Sequence, residues 1–263
     1  MRGYLALIRG SLMMGLIYRF GFLFTILGSG LYMFVAYFLW HSIYGTNTTL
    51  NGLTFNETFL YIALGSTLFV LLKTYTDWLI SNEIRDGSVS IYLTKPLDYP
   101  MYALAMGTGF MLTNLIGVVI PTFVMVVFVF KIPIAFGPGL VLLPFSLILA
   151  FVISYFFDCI TGLTTFYTES IWGISTTKEI IIAVFSGALV PLQFFPEAIQ
   201  KVLMYLPFQA IYHTPLMLIT RPNQDWGTLL SMIGVQLFWI VILFIASRLM
   251  YNQSIKVLRV AGG

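Results

Sequence analysis

Charge is what this chain has least of. Lys, Arg, Asp and Glu together make up 9% of its 263 residues, against about 25% in ordinary soluble domains. So few charges cannot cover a water-facing surface of this size. With a mean hydropathy of +0.94, lipid is the solvent for most of the chain. Cysteine is almost absent as well: Cys159 stands alone, which excludes an intrachain disulfide. The 13 basic residues are scattered without a basic run, so nucleic acid is not an expected partner. No G-x-x-x-x-G-K-[ST] loop occurs to cradle nucleotide phosphates. His213 with Glu197 amounts to two scattered ligands and no metal site. No nucleophile–base arrangement stands out, so the chain does not read as an enzyme. No long Ser/Gly/Pro linker divides it, so residues 1–263 read as one membrane domain. With Arg9 inside a would-be apolar core and no small-x-small site after it, the first residues do not read as a cleavable signal peptide.

What is there is a series of apolar runs of membrane length. Residues 1–19 place Leu5, Ile8, Leu12 and Leu16 at helical spacing, interrupted by Arg2, Arg9 and Arg19. That pattern suits a helix lying in the interface plane, or a frayed start to the first span. Spans are expected at residues 20–40, 58–80, 101–130 (with Pro121 as a kink), 140–166, from near Ile171 to 192, and 226–249. Each is long enough for a core of about 30 Å. The sequence thus predicts an all-α integral membrane fold with six crossings. Residues 186–224 are different. Pro191, Pro196, Pro207, Pro215 and Pro222 cut them into pieces too short to cross. They are expected to dip into the outer leaflet as short re-entrant helices, buried in protein or lining a wet cavity.

Six crossings put both termini on one side. That side holds Arg2, Arg9, Arg19, Lys73, Arg85, Lys95, Lys178, Arg248, Lys256 and Arg259; the other holds Lys131, Lys201 and Arg221. Ten against three makes the terminal side cytoplasmic, in a bacterial inner membrane. Residues 81–100, S-N-E-I-R-D-G-S-V-S-I-Y-L-T-K-P-L-D-Y-P, are then a cytoplasmic polar loop.

Inside the spans, Lys73, Asp77 and Asp158 are costly charges, about 2.5–3.5 kcal/mol each unless paired or wet. Lys73 is expected to pair with Asp158, or with Asp77 four residues on along one helical face. A chain of carboxylates or histidines for a proton relay is not visible. Phe185, Phe194 and Phe195 flank the broken outer segment and are candidates for an outer gate. In a chain with 24 Phe, 15 Tyr and 12 Met, such residues more often pack or face lipid.

Two motifs, in order and on opposite sides, carry a resemblance. Glu83–Pro100 contains E-x-x-x-G-x(5)-L-x-x-P, and Ser186–Pro196, S-G-A-L-V-P-L-Q-F-F-P, is followed by L-P-F-Q at Leu206–Gln209. The chain resembles the permease subunits of ABC-2 type exporters, in the branch described as ABC-2 family transporter proteins, over nearly its whole length. The resemblance implies a pathway formed with a second permease, as a homodimer or heterodimer, and two ABC ATPase subunits that bind ATP and Mg. It implies a coupling helix in the 81–100 loop seated on the ATPase, with Glu83, Ile84, Arg85, Asp86 and Gly87 at that contact. It also implies an efflux substrate, hydrophobic or amphipathic. An ion-coupled secondary transporter and a non-transporting scaffold or sensor remain open readings of the residues.

Overall fold

The computed structural model describes residues 2–17 and 19–257. The expected lipid contacts of Arg2 and Arg19, and the tail residue Arg259, lie outside the described residues and side chains. In order come α1 (Arg2–Ile17), α2 (Arg19–Tyr44), the hairpin β1 (Thr49–Leu50) with β2 (Leu53–Thr54), α3 (Phe55–Leu71), α4 (Thr76–Arg85), α5 (Val89–Leu93), α6 (Tyr99–Asn114), α7 (Ile120–Val124), α8 (Pro138–Leu163), α9 (Trp172–Phe185), α10 (Glu197–Tyr205), α11 (His213–Thr220) and α12 (Trp226–Ser254).

Five segments are long and apolar enough to cross a membrane: Phe20–Tyr44, Phe55–Arg85, Tyr99–Val129, Pro138–Phe166 and Trp226–Val257. They match the first four expected spans and the last. The expected fifth is not of that kind. α9 has 14 residues, about 21 Å of helix, against a core of about 30 Å. It stops at Ser186 because Gly187 (φ 82) turns the chain and Pro191 follows. α10 and α11, with 9 and 8 residues, are shorter still.

The first helix also departs from expectation. α1 does not lie across the rim of the bundle but packs lengthwise on α6. The Tyr4 hydroxyl accepts from the Asp98 N–H (3.1 Å), and the Ser11 hydroxyl donates to the Met106 carbonyl (2.8 Å). A Cβ on Gly109 would lie 2.6 Å from the Ile8 carbonyl, and one on Gly15 2.5 Å from Thr113. Small residues let the two backbones approach, which is how helices associate where no hydrophobic force separates them from lipid.

Pro121 marks an irregularity as expected. The helix runs through wide turns at Leu115–Val119 and Met125–Val129 on either side of it. Proline has no N–H for the carbonyl four residues back, and a wide turn absorbs the defect. Between β1 and β2, Asn51 (φ 48) and Gly52 (φ 76) form the hairpin turn. Thr54 and Glu57 cap α3 reciprocally. Arg221, just beyond α11, bonds Glu57 at 3.0 Å and also the Gly52 carbonyl.

Candidate functional site

The polar loop is built as a rigid corner. α4 ends at Arg85; Asp86 caps it and Gly87 (φ 78) reverses the chain. No atom lies within 4 Å of where a Gly87 Cβ would stand, so backbone conformation alone requires glycine there. The Ser88 hydroxyl and N–H hold the exposed Asp86 carboxyl below the usual carboxylate range. α5 follows with Ile91 outward, 59% exposed, beside exposed Arg85 and Lys95.

Three clamps fix this corner to the bundle. The Tyr99 and Tyr102 hydroxyls each donate to the Glu83 carboxylate at 2.7 Å. Asp98 caps α6 by accepting from the Met101 N–H and pairs through both oxygens with Arg248 of α12. Asp98 also meets Tyr4 of α1. Glu83 was expected among the outward charges; instead it is buried. Its position two turns into an amphipathic ten-residue helix turns it to the α6 side. Ile84 is half-buried and packs on the core. Arg85, Asp86 and Lys95 are the charges this corner offers to water.

A second polar cluster lies where the second span is interrupted. α3 ends at Leu71 and α4 begins at Thr76, with Tyr75 between them in the left-handed region (φ 52). The break frees the Val70 carbonyl, which accepts from the Asn114 amide at 2.9 Å. Thr74 donates to Asp158 at 2.5 Å and accepts from the Thr76 N–H at the start of α4. Asp77, in that first turn, is well placed against the helix dipole. Lys178 of α9 bridges Asp77 (2.7 Å) and Asp158 (2.5 Å), and the Ser175 hydroxyl donates to Asp77 at 2.6 Å. Lys73 meets both oxygens of Glu179 at 3.1 Å. The expected pairing of Lys73 with Asp158 or with Asp77 is therefore replaced. The break in the helix destroys the i,i+4 geometry that would have joined Lys73 to Asp77. It leaves Lys178 between the two aspartates.

A family model for the ABC-2 family transporter proteins matches residues 31–262. The chain belongs to that family. No curated protein matches it. The matched stretch contains the whole loop and every residue of the charged cluster, and the ABC-2 assignment makes this a multi-pass membrane component of a transporter.

The S-G-A-L-V-P stretch has a structural basis. The Ser186 carbonyl accepts from the His213 N–H, and its hydroxyl accepts from the Ala188 N–H. A Cβ on Gly187 would meet the Tyr61 hydroxyl at 2.7 Å, and one on Gly65 of α3 would meet the Ala188 carbonyl at 2.6 Å. His213 is buried, and its Nδ1 lies 3.0 Å from the buried Tyr61 hydroxyl. Gln236 of α12 donates its amide to the Ala210 and Ser146 carbonyls at 2.8 and 3.2 Å, satisfying irregular backbone at depth.

The three phenylalanines do not meet. Phe194 packs on Trp40 of α2 (5.1 Å between rings). Phe185 lines a 440 Å³ cavity against Ile199 and Val202 of α10. The Phe195 carbonyl accepts from Gln200. No ring contact joins them among the described residues.

The expected fifth span, from near Ile171, already contained Lys178 and Glu179, but neither was weighed as a partner for the buried charges; α9 contains both. The signal was present: Ser175, Lys178 and Ile182 recur at i, i+3 and i+7, one face of a helix. Gln236, the one amide between Trp226 and Leu249 of α12, carried a similar signal.

Proposed function

We propose that this chain is the permease subunit of an ATP-driven exporter, forming the pathway with a second permease and driven by separate ABC ATPase subunits. ATP and Mg would be held by those subunits. The observation that carries the reading is the corner at residues 83–98. An exposed short helix bearing Ile91 between Arg85 and Lys95 is clamped at Glu83 and Asp98 to α6, α12 and α1. A clamped exposed corner transmits force; a loose connector would not.

α4 is the lever in this reading. One end carries the corner and the other is gripped by Lys178 and Ser175 of α9. α9 leads straight into the Gly187–Pro196 segment. A push on the corner thus reaches the far end of the bundle through one ion-paired junction. Nucleotide drives it only by binding one arrangement more tightly than the other.

The six-crossing topology belongs to the same proposal, with α9 and residues 186–194 together as the fifth crossing. Two contacts support it: Lys178 at the level of Asp158, and Phe194 against Trp40 at the far end of α2. α10 and α11 then dip inward and return as re-entrant helices, their turn held by Gln236. Both termini face the cytoplasm of an inner-membrane protein, as the basic residues require. The pathway suits a hydrophobic or amphipathic compound.

Native-level purification tests the reading: an ABC ATPase accompanies the chain. Exchanging the charges with Arg85→Glu and Asp86→Arg releases the ATPase while the chain stays inserted. ATP-dependent efflux unaffected by the exchange would sink the lever. The charged cluster favours one second reading, an ion-coupled transporter, which would be active when purified without any ATPase.

A further inference from the structure

The break in the second span opens sideways as well as toward α9. A cleft of 450 Å³ lies between the α1–α2 junction, the end of α3 and α6, a volume within the range of small-ligand sites, about 300–1,000 Å³. Its walls are mostly apolar and aromatic, with Phe22, Phe69, Tyr75 and Phe110, and include Thr25, Thr113 and Asn114. Gly15 and Gly21 contribute no side chain. Lys73 is the one cation that lines it among the described side chains.

Lys73 is not spent by its ion pair. An ammonium has three donors, and two suffice for the Glu179 oxygens, each at 3.1 Å. The side chain keeps 27% of its surface exposed. Its nitrogen stands 4.7 Å from the centre of the Tyr75 ring, a cation–π contact on the cleft side. Tyr75 is held at φ 52, a conformation that is an outlier for a bulky residue. There its ring packs edge-on against Phe110 (5.1 Å) and is 43% exposed. Strain kept at a non-glycine residue is a mark of function, and what it achieves here is a ring beneath an ammonium at the mouth of an apolar cleft.

We infer that this cleft binds a membrane-resident amphiphile with a long apolar chain and an anionic head, the head on Lys73 and the chain along Phe22, Phe69 and Phe110. The charge is what separates this from the ordinary filling of a lipid-facing groove. Neutral and zwitterionic lipids offer the same chain and oxygens that accept a hydrogen bond, but a head of net negative charge gains more from the third ammonium donor. This inference stands whether or not the chain is an exporter.

The test uses the full chain reconstituted in phosphatidylcholine, with spin-labelled stearate at a pH where it is ionised and spin-labelled phosphatidylcholine as the neutral reference. The wild type prefers stearate, and Lys73→Gln lowers that preference by about fivefold, the effect of one nearby basic residue. Lys73→Arg retains the preference. Thr25→Trp, which fills the cleft without touching the ion pair, lowers stearate binding in a chain whose Lys73–Glu179 contact is intact. Lys131→Gln, at the opposite end of the bundle, changes nothing. Equal preference in wild type and Lys73→Gln overturns the inference, as does stearate binding undiminished by Thr25→Trp. Displacement of the label by aqueous hexanoate at matched concentration would overturn the long-chain, membrane-resident ligand.

Discussion

The Nζ atom of Lys178 lies 2.7 Å from Asp77 Oδ2, joining residues 101 positions apart. The contact ties α9 to the first turn of α4, the helix that carries the polar corner. Asp158 shares the same ammonium, so two carboxylates depend on one cation.

That sharing makes the cluster asymmetric to mutation. Lys178→Met strands two buried carboxylates and costs about 3–5 kcal/mol. Asp158→Asn leaves a balanced Lys178–Asp77 pair and costs no more than about 1 kcal/mol. Thermal unfolding in detergent reads both, and a larger loss for Asp158→Asn would contradict the arrangement.

Glu83→Ala removes the acceptor of two tyrosine hydroxyls, at about 1–3 kcal/mol for each one left buried. Arg85→Ala, at the surface, stays within about 0.5 kcal/mol. Limited proteolysis across residues 85–98 separates them: Glu83→Ala is cut faster, Arg85→Ala at the wild-type rate.

Gly87 and Gly109 fail for different reasons. Gly87→Ala meets no neighbour but must hold φ 78, a cost of about 1–2 kcal/mol. Gly109→Ala drives its Cβ into the Ile8 carbonyl and Ser11 and lifts α1 from α6. A cysteine pair at Ser11 and Met106 in a Cys159→Ser background should lose its cross-link in Gly109→Ala and keep it in Gly87→Ala.

Gln236→Leu leaves the Ala210 and Ser146 carbonyls without their side-chain donor. Hydrogen exchange should rise in residues 206–214 and at the start of α11, and stay unchanged at the Glu83–Asp98 corner. Uniform acceleration across the chain would mean that Gln236 serves general packing instead.

Asp225 caps α12 by accepting from the Thr228 hydroxyl and N–H, which hold its carboxyl below the ordinary carboxylate range. A lowered folded-state value means the cap's contribution is complete above the unfolded carboxylate's range. It is lost as pH falls through the folded value. Asp225→Asn should therefore flatten the acid limb of the melting curve and leave the neutral-pH limb almost unchanged.

Apolar run length made the long spans legible, because a helix of that composition has no other solvent. Pro121 and the proline-cut pieces of residues 186–224 were legible for a similarly local reason: proline lacks a donor wherever it sits. The ion pairs were not. Lys73, Asp77 and Asp158 were visible as costly groups, but their partners lie on α9, whose helical period was hidden behind a polar-looking T-T-K-E. Glu83 looked like a surface charge because its tyrosine partners are 16 and 19 residues away.

By itself the sequence determined the solvent and five of the crossing segments, since transfer to lipid and the need for internal hydrogen bonds act on each segment alone. The tertiary structure alone decided which carboxylate meets which ammonium, which way Glu83 turns, and that the cleft ends at Lys73. Those outcomes depend on distances between helices. A buried charge fixes only that it must have a partner; packing chooses which.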